Sequence, residues 1–389
     1  MADYDPLSKD VLADPYPFFA EFHASACPVH HHELAKVDVD KICANPLVAH
    51  PTTEFFSLFR HADVADAVQH HEVFSSAQGP GPERLISLNG VGMLVYADPP
   101  HHTHQRRIVG KALSPRLVAQ LEPRVRAIAH ELIDAFPADG RVEFVKAFSD
   151  ALPGTVFSEF LGVPVEDRRT FKRWTEEIVA AFGGDPDIQE HSVQTLQEFG
   201  AYFIGVITER RQVLAGGGEL PDDFLTAMIT SDYEGRHLDD TDLIMALQIF
   251  LVGGHETTSA GLANGVDVLC RHPDQLGRLR QDPSLIPQAV EEILRYESPV
   301  QRMFRNTTRE VEVSGTVIPF DSKVAVGYGA ANRDPEVFED PDRFDIFRDP
   351  RVLHRHVAFG FGIHACVGAA LARLDLRVAL EVLLERLPD

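Results

Sequence analysis

Phe359-Gly360-Phe361-Gly362-Ile363-His364-Ala365-Cys366-Val367-Gly368 decides how the rest of this 389-residue chain is read. Gly360, Gly362 and Gly368 frame Cys366, and glycine lets a backbone turn sharply and lie close against a flat partner. Behind the cysteine, Ala369 to Arg377 is an Ala/Leu/Arg run that predicts a helix. A cysteine at a helix mouth meets open amides and the positive end of the helix dipole, which favour thiolate over thiol. An anionic sulfur held against a planar group describes an axial haem ligand. A buried structural cysteine beside a glycine-rich turn is the commoner use of the residue.

A second stretch breaks the rules of its surroundings. Asp239-Asp240-Thr241 reads as a helix cap, and the helix runs uninterrupted to Arg271, where His272-Pro273 ends it. Leu243, Ile244, Leu247, Ile249, Phe250, Leu251 and Val252 make it apolar nearly all round, so it should pass through the core. In its middle stand Gly253-Gly254-His255-Glu256-Thr257-Thr258. Paired glycines and consecutive threonines cost helix propensity, and an ionisable Glu in an apolar helix costs more. Such violations gather at functional sites; the alternative is a tolerated kink with Glu256 salt-bridged at the surface.

Composition narrows the classes. The formal net charge of −23 argues against nucleic acid and an anionic membrane surface. No segment reaches the ~20 apolar residues of a membrane span, and the N-terminus lacks the basic and apolar regions of a signal peptide. Cys27, Cys43, Cys270 and Cys366 show no pairing pattern, as in a reducing cytoplasm. Without a linker or repeat, residues 1–389 read as one large domain.

Residues 1 to 53 read as Pro-rich and irregular, with a short helix at Pro17 to Phe22 and His30-His31-His32 in a polar, exposed loop. Phe55 to Phe59 reads as a strand and Ala62 to His70 as a helix. From Ser75 to Tyr96 the chain is loop-like yet apolar, so it covers core or lines an apolar ligand. Asp98-Pro99-Pro100 opens a helix on which His102 and Arg106, four apart, share a face. Leu117 to Phe136, Thr170 to Phe182 and Gln194 to Leu214 carry helical periodicity. Glu292 and Arg295 form an E-x-x-R pair, weak by itself because surface pairs at that spacing are common. Glu310 to Gly327 reads as short strands.

The pattern F-G-x-G-x-H-x-C-x-G resembles the signature of the cytochrome P450 superfamily of haem-thiolate monooxygenases, in which the thiolate pushes electron density toward O–O cleavage. Further stretches match in the family's order: His102 and Arg106 as H-x-x-x-R, Gly253 to Thr257 as the oxygen-activation motif, and Glu292 and Arg295 as the E-x-x-R pair. The resemblance covers nearly the whole chain and implies a mainly α-helical fold with a small β portion and a long central helix crossing one haem b. It implies that Cys366 ligates iron, that His102, Arg106, Arg305 and His364 hold the propionates, that Gly368 belongs to the haem cradle, and that Glu256 and Thr257 handle protons. Glu292, Arg295 and Arg343, from Pro341-Asp342-Arg343-Phe344, form a structural clamp. Ile86, Leu88, Met93, Phe182, Ile249, Val252, Gly253, Val300, Met303 and Phe304 are the candidate substrate lining, apolar enough for a hydrophobic small molecule, aromatic or terpenoid-like.

The implied reaction inserts one oxygen atom from O2 into such a substrate, with electrons from NAD(P)H through a ferredoxin reductase and a ferredoxin. A monomer in the cytoplasm is expected. Arg106, Arg107, Lys111, Arg348, Arg351 and Arg355 offer an acidic ferredoxin a basic patch, or are scattered charges. A peroxide-using haem enzyme and a non-catalytic haem-thiolate sensor are the alternatives; the Glu256-Thr257 pair counts against both. Two departures stand out: residues 33–54 look longer than the usual connection, and the sequence stops at Leu387-Pro388-Asp389 where the family usually continues with short strands, so either this chain lacks them or the sequence is incomplete.

Overall fold

The computed structural model describes residues 4, 8–33, 48–50, 54–82, 84–85, 92–180 and 186–387. They are mostly helical, with a small five-stranded sheet. The strands are β1 (His30–Glu33), β2 (Glu54–Leu58), β3 (Phe74–Ser75), β4 (Met303–Thr307) and β5 (Lys323–Val326), in the order β1-β2-β5-β4-β3. The helices that matter for function are α1 (His101–Ala112), α2 (Ala151–Phe160), α3 (Arg168–Ala180), α4 (Asp240–Arg271), α5 (Ile286–Tyr296) and α6 (Ala369–Arg386).

The chain divides into two compact units, each drawn from separate stretches of sequence. The first comprises Met1–Asn89, Val95–Asp98 and Asn264–Cys366. It contains the five-stranded sheet, in which β2 and β5 pair in parallel and β4 runs antiparallel to β5. Leu58, Val64, Val324, Val326 and Tyr328 form its main core cluster. The second comprises Gly90–Leu94, Pro99–Ala263 and Val367–Asp389 and is helical. There α6 packs on the helix Glu122–Asp134, and Arg377 and Arg126 pair with Glu122 and Glu381.

α4 keeps the limits its sequence predicts. Asp239 Oδ1 accepts from the Asp242 amide at 2.8 Å, and His272-Pro273 follows the last turn. Its 32 residues span about 48 Å. Apolarity all round does not translate into burial all round. Leu243, Leu247, Phe250, Leu251 and Leu262 are buried, whereas Ile249 and Val252 are half-buried and Gly253 and Glu256 are exposed.

Two further expectations are corrected. His30-His31-His32 is strand β1, not a polar loop, and His32 is buried, bonded through Nε2 to Ser57 Oγ at 2.9 Å. Residues 117–136 are two helices, Pro115–Gln120 and Glu122–Asp134, meeting where Pro123 restarts the chain.

Candidate functional site

In the first unit the Cys366 loop is built from its glycines. Gly360 and Gly362 adopt φ of +65° and +67°, conformations that L side chains rarely take. A Cβ on Gly362 would stand 2.6 Å from the Val68 carbonyl oxygen, so no other residue fits there. The Cys366 amide donates to Phe359 O at 2.8 Å and closes the loop. Gly368 is the N-cap of α6 and supplies no side-chain cap. Cys366 is left exposed, as is Phe361 in the same loop.

The same unit holds two predicted anion holders. His364 is half-buried, with Nε2 3.1 Å from Ser76 Oγ; the Ser76 amide is fixed in turn by Asp98 Oδ1 at 3.0 Å. Arg305 on β4 is buried, and its one side-chain hydrogen bond among the described residues goes to the carbonyl of its own neighbour, Phe304, at 2.8 Å. A buried guanidinium without a carboxylate partner is costly unless an anion reaches it. Strand alternation sets Met303 and Arg305 on one face of β4 and Phe304 on the other. Phe304 packs with Phe55 and Ala325 in a core cluster and is thereby removed from the substrate lining. Val300 and Met303 remain partly buried.

The clamp on α5 is built differently from expectation. Glu292 and Arg295 are both fully buried and pair through two hydrogen bonds of 2.7 and 2.8 Å. The third member is Arg348, with Nε 3.3 Å from Glu292 Oε2, and not Arg343. Arg343 points outward to Asp345 and lends the clamp only its carbonyl oxygen, 3.2 Å from Arg295 Nη2. Arg348 is thereby withdrawn from any surface basic patch.

In the second unit, Ile249, Val252, Gly253, Glu256 and Thr257 recur at three and four and occupy one face of α4. This is its accessible face. Thr257 Oγ1 donates to Gly253 O at 2.6 Å, a bond from a side chain to the carbonyl four residues back that loosens a helix turn. Glu256 has no hydrogen bond or ion pair among the described residues, and partial desolvation raises its pKa. A surface salt bridge therefore does not explain it.

On α1, His102 is buried and Arg106 half-buried, one turn apart. Between them lies Gln105, which sequence reasoning missed. It is buried and bonds Leu94 N at 2.9 Å, Gly92 O at 3.0 Å and Asp242 Oδ1 at 3.0 Å, tying α1 to the first turn of α4. Met93, in the segment it anchors, is fully buried. Ile86, Leu88 and Phe182 lie outside the described residues. Among the described residues no group of three His, Cys, Asp or Glu side chains could hold a metal ion, and no helix is long and apolar enough to cross a membrane.

The residues present fit a haem: an exposed thiol on a glycine-flattened loop for the metal, and a buried, under-partnered guanidinium for an anionic edge. Comparison with known proteins points the same way. The family model described as Cytochrome P450 matches residues 47–387. "Cytochrome P450 monooxygenase PikC" of Streptomyces venezuelae is 39% identical over 100% of this chain and 87% of its own. "Vitamin D(3) 25-hydroxylase" of Pseudonocardia autotrophica is 36% identical over 88% of this chain and 83% of its own. The solved structure of CYP109E1 from Bacillus megaterium in complex with testosterone superposes with a TM-score of 0.82 at 30% identity, covering 97% of this chain and 92% of that one.

Proposed function

The chain belongs to the cytochrome P450 family of monooxygenases, and from that membership we propose that it inserts one oxygen atom from O2 into a rigid hydrophobic molecule of the steroid or secosteroid class. The observation that carries the reaction is the accessible face of α4, which carries Thr257 and, next to it in sequence, Glu256, whose carboxyl has no partner among the described residues. The substrate class is supported by the two relatives whose names specify vitamin D(3) and testosterone, and by the apolar character of Ile249, Val252, Val300 and Met303.

Haem b, when bound, would supply the oxygen chemistry, in which two electrons and two protons turn one oxygen atom of O2 into water and the other enters the product. Cys366 would hold the metal through its sulfur, the thiolate being the form of cysteine that ligates. Family membership assigns His102, Arg106, Arg305 and His364 to the haem carboxylates, which each would hold by charge-assisted hydrogen bonds. Thr257 releases its hydrogen bond to Gly253 O and turns its hydroxyl to the open face. Glu256, its pKa raised by desolvation, carries protons from solvent to that hydroxyl.

Electrons come from NAD(P)H through a ferredoxin reductase and an acidic ferredoxin. Arg107 and Lys111 on α1 are exposed cations in a chain of net charge −23, and they offer such a partner local complementarity. The enzyme works as a cytoplasmic monomer. Reconstitution with haem, NADH and a surrogate ferredoxin pair, with testosterone and vitamin D(3) as probes under 18O2, should put one labelled oxygen into product. Label-free product formed only with added peroxide would reassign the enzyme to peroxide-driven chemistry.

A further inference from the structure

Next to the accessible face of α4, a separate set of contacts fixes that helix to α2 within the second unit. The chain enters α2 through a π-helical turn, Val145–Ser149, whose wider ring is closed by Asp150 N donating to Val145 O at 2.8 Å. Such turns are rare and recur at functional sites, where they re-aim the residue that follows. Here that residue is Asp150. Its main-chain oxygen lies 3.1 Å from His255 Nε2, and its carboxylate Oδ1 accepts from Ser259 Oγ. His255 and Ser259 are four apart, so one residue of α2 grips two points on one stripe of α4.

The helices also approach closely at this level. A Cβ on Gly154 would lie 3.3 Å from the His255 ring, and one on Gly254 would lie 3.4 Å from Phe157. The glycine pair is thus divided in labour: Gly254 lets α2 in, while Gly253 stands on the open face, where a Cβ would meet nothing within 4 Å. Burial lowers the His255 pKa; because a carbonyl can only accept, Nε2 carries the hydrogen that meets the Asp150 oxygen, and Nδ1 is buried with no hydrogen-bond partner among the described residues. A hydrogen-bond donor at Nε2 and a hydroxyl at Ser259 are both satisfied by Asp150.

We propose that Asp150 is a positioning residue for oxygen activation. It sets the rotation of α4 at His255 and Ser259, and so keeps Glu256 and Thr257 on the accessible face. This turn needs outside support. It contains two glycines, each costing about 1 kcal/mol against Ala, and a threonine hydroxyl that competes for the Gly253 carbonyl. Glu256 lies three residues from Ser259 and one from His255, so a small rotation at the clamp moves both proton-handling groups together. The inference rests on the reading of Glu256 and Thr257 as the proton pair.

Two measurements on the haem-loaded enzyme test it. Hydrogen–deuterium exchange should show amides 253–259 exchanging several-fold faster in Ser259→Ala and Asp150→Ala, with residues 264–271 unchanged. In the NADH assay with a surrogate ferredoxin pair and testosterone, both variants should release several-fold more hydrogen peroxide per NADH, with the thiolate absorption of the ferrous carbonyl form retained. Asp150→Asn keeps an acceptor for Ser259 and the main-chain carbonyl for His255, and should behave as wild type in both measurements. Unchanged exchange in Ser259→Ala and Asp150→Ala overturns the clamp. Faster exchange without extra peroxide, in a system where Thr257→Ala does uncouple, overturns its link to proton delivery. If Thr257→Ala itself stays coupled, the proton-pair reading is what fails, while the exchange data still judge the clamp.

Discussion

Arg295 Nη2 and Nε lie 2.8 and 2.7 Å from the two carboxylate oxygens of Glu292, and neither side chain has any solvent exposure. A pair this deeply buried survives only if every remaining donor and acceptor is met. Arg295 Nη1 meets the carbonyls of Asn332 at 2.9 Å and Pro341 at 2.8 Å, and Glu292 Oε1 accepts the Asp345 amide at 2.9 Å. Removing either partner strands the other's charge, so Glu292→Ala and Arg295→Ala should each cost ~3–5 kcal/mol. Arg348→Ala should also destabilise, because its guanidinium side chain is largely buried against Glu292. Arg343→Ala should change stability by no more than about 0.5 kcal/mol, as surface substitutions do. Denaturant melts of the four variants decide this; a large loss at Arg343 would return it to the clamp.

Cys366 is the cysteine whose amide closes a glycine loop and whose thiol is left exposed there. Cys366→Ser should abolish the long-wavelength band of the ferrous carbonyl form. Cys27→Ser and Cys270→Ser, also exposed, should keep it. Retention of the band in Cys366→Ser would assign the ligand elsewhere.

Stability should depend on pH through two buried groups acting in opposite directions. Burial, then the charges of His30, Arg302 and His31, push the His32 pKa down to about 3. The unfolded chain therefore takes up a proton near pH 6.5 that the folded one refuses until about 3. Stability from His32 is present above pH 6.5 and is lost as pH falls through that window, by ~1.4 kcal/mol per pH unit. Asp375 on α6 is the reverse case: burial pushes it up to about 8, and its Oδ1 has no hydrogen-bond partner among the described residues. Its contribution is present below the unfolded pKa of about 3.9 and is lost as pH rises toward 8. Asp375→Asn should therefore raise the melting temperature more at pH 8 than at pH 4, and His32→Phe should flatten the acid limb. Melting curves of Asp375→Asn parallel to wild type across pH 4–8 would show that Asp375 titrates normally.

What could be read in the chain beforehand was what local chemistry decides. The Cys366 loop announced itself because only glycine tolerates its backbone, and α4 because Asp239 caps it and His272-Pro273 stops it. The clamp's third arginine was out of reach. Pro341-Asp342-Arg343-Phe344 is the conspicuous motif, yet the turns after it carry Arg348 inward, where Nη1 donates to Glu339 O at 2.7 Å and Nη2 to Arg343 O at 3.0 Å. Lys323 left no trace either. It is fully buried on β5, with Nζ 3.1 Å from the carbonyls of Gln78, Gly79 and Gly81. Phe304 is different: alternation along Met303–Thr307 already set it opposite Arg305, and that signal needed only to be applied.

Thr257 and Glu256 should divide the work of proton delivery on α4. Cleaving an O–O bond so that one oxygen leaves as water needs two protons delivered where bulk water is excluded. A hydroxyl can donate while accepting, so Thr257 suits the inner position. In the resting geometry its hydrogen is committed to Gly253 O at 2.6 Å, which makes Thr257 a group that must turn before it delivers. Glu256 is exposed and has no partner among the described residues, with a pKa raised by partial desolvation, so it suits the outer position, trading protons with solvent. Losing the inner group leaves electron uptake intact but lets reduced oxygen escape. Thr257→Ala should consume NADH at a comparable rate, with more hydrogen peroxide and less product. Thr257→Ser, which keeps a hydroxyl, should recover most of the coupling. Losing the outer group starves both proton transfers, so Glu256→Gln should slow the whole cycle and enlarge the solvent isotope effect. A Thr257→Ala enzyme whose product still matches its NADH would mean that protons reach the oxygen by another route.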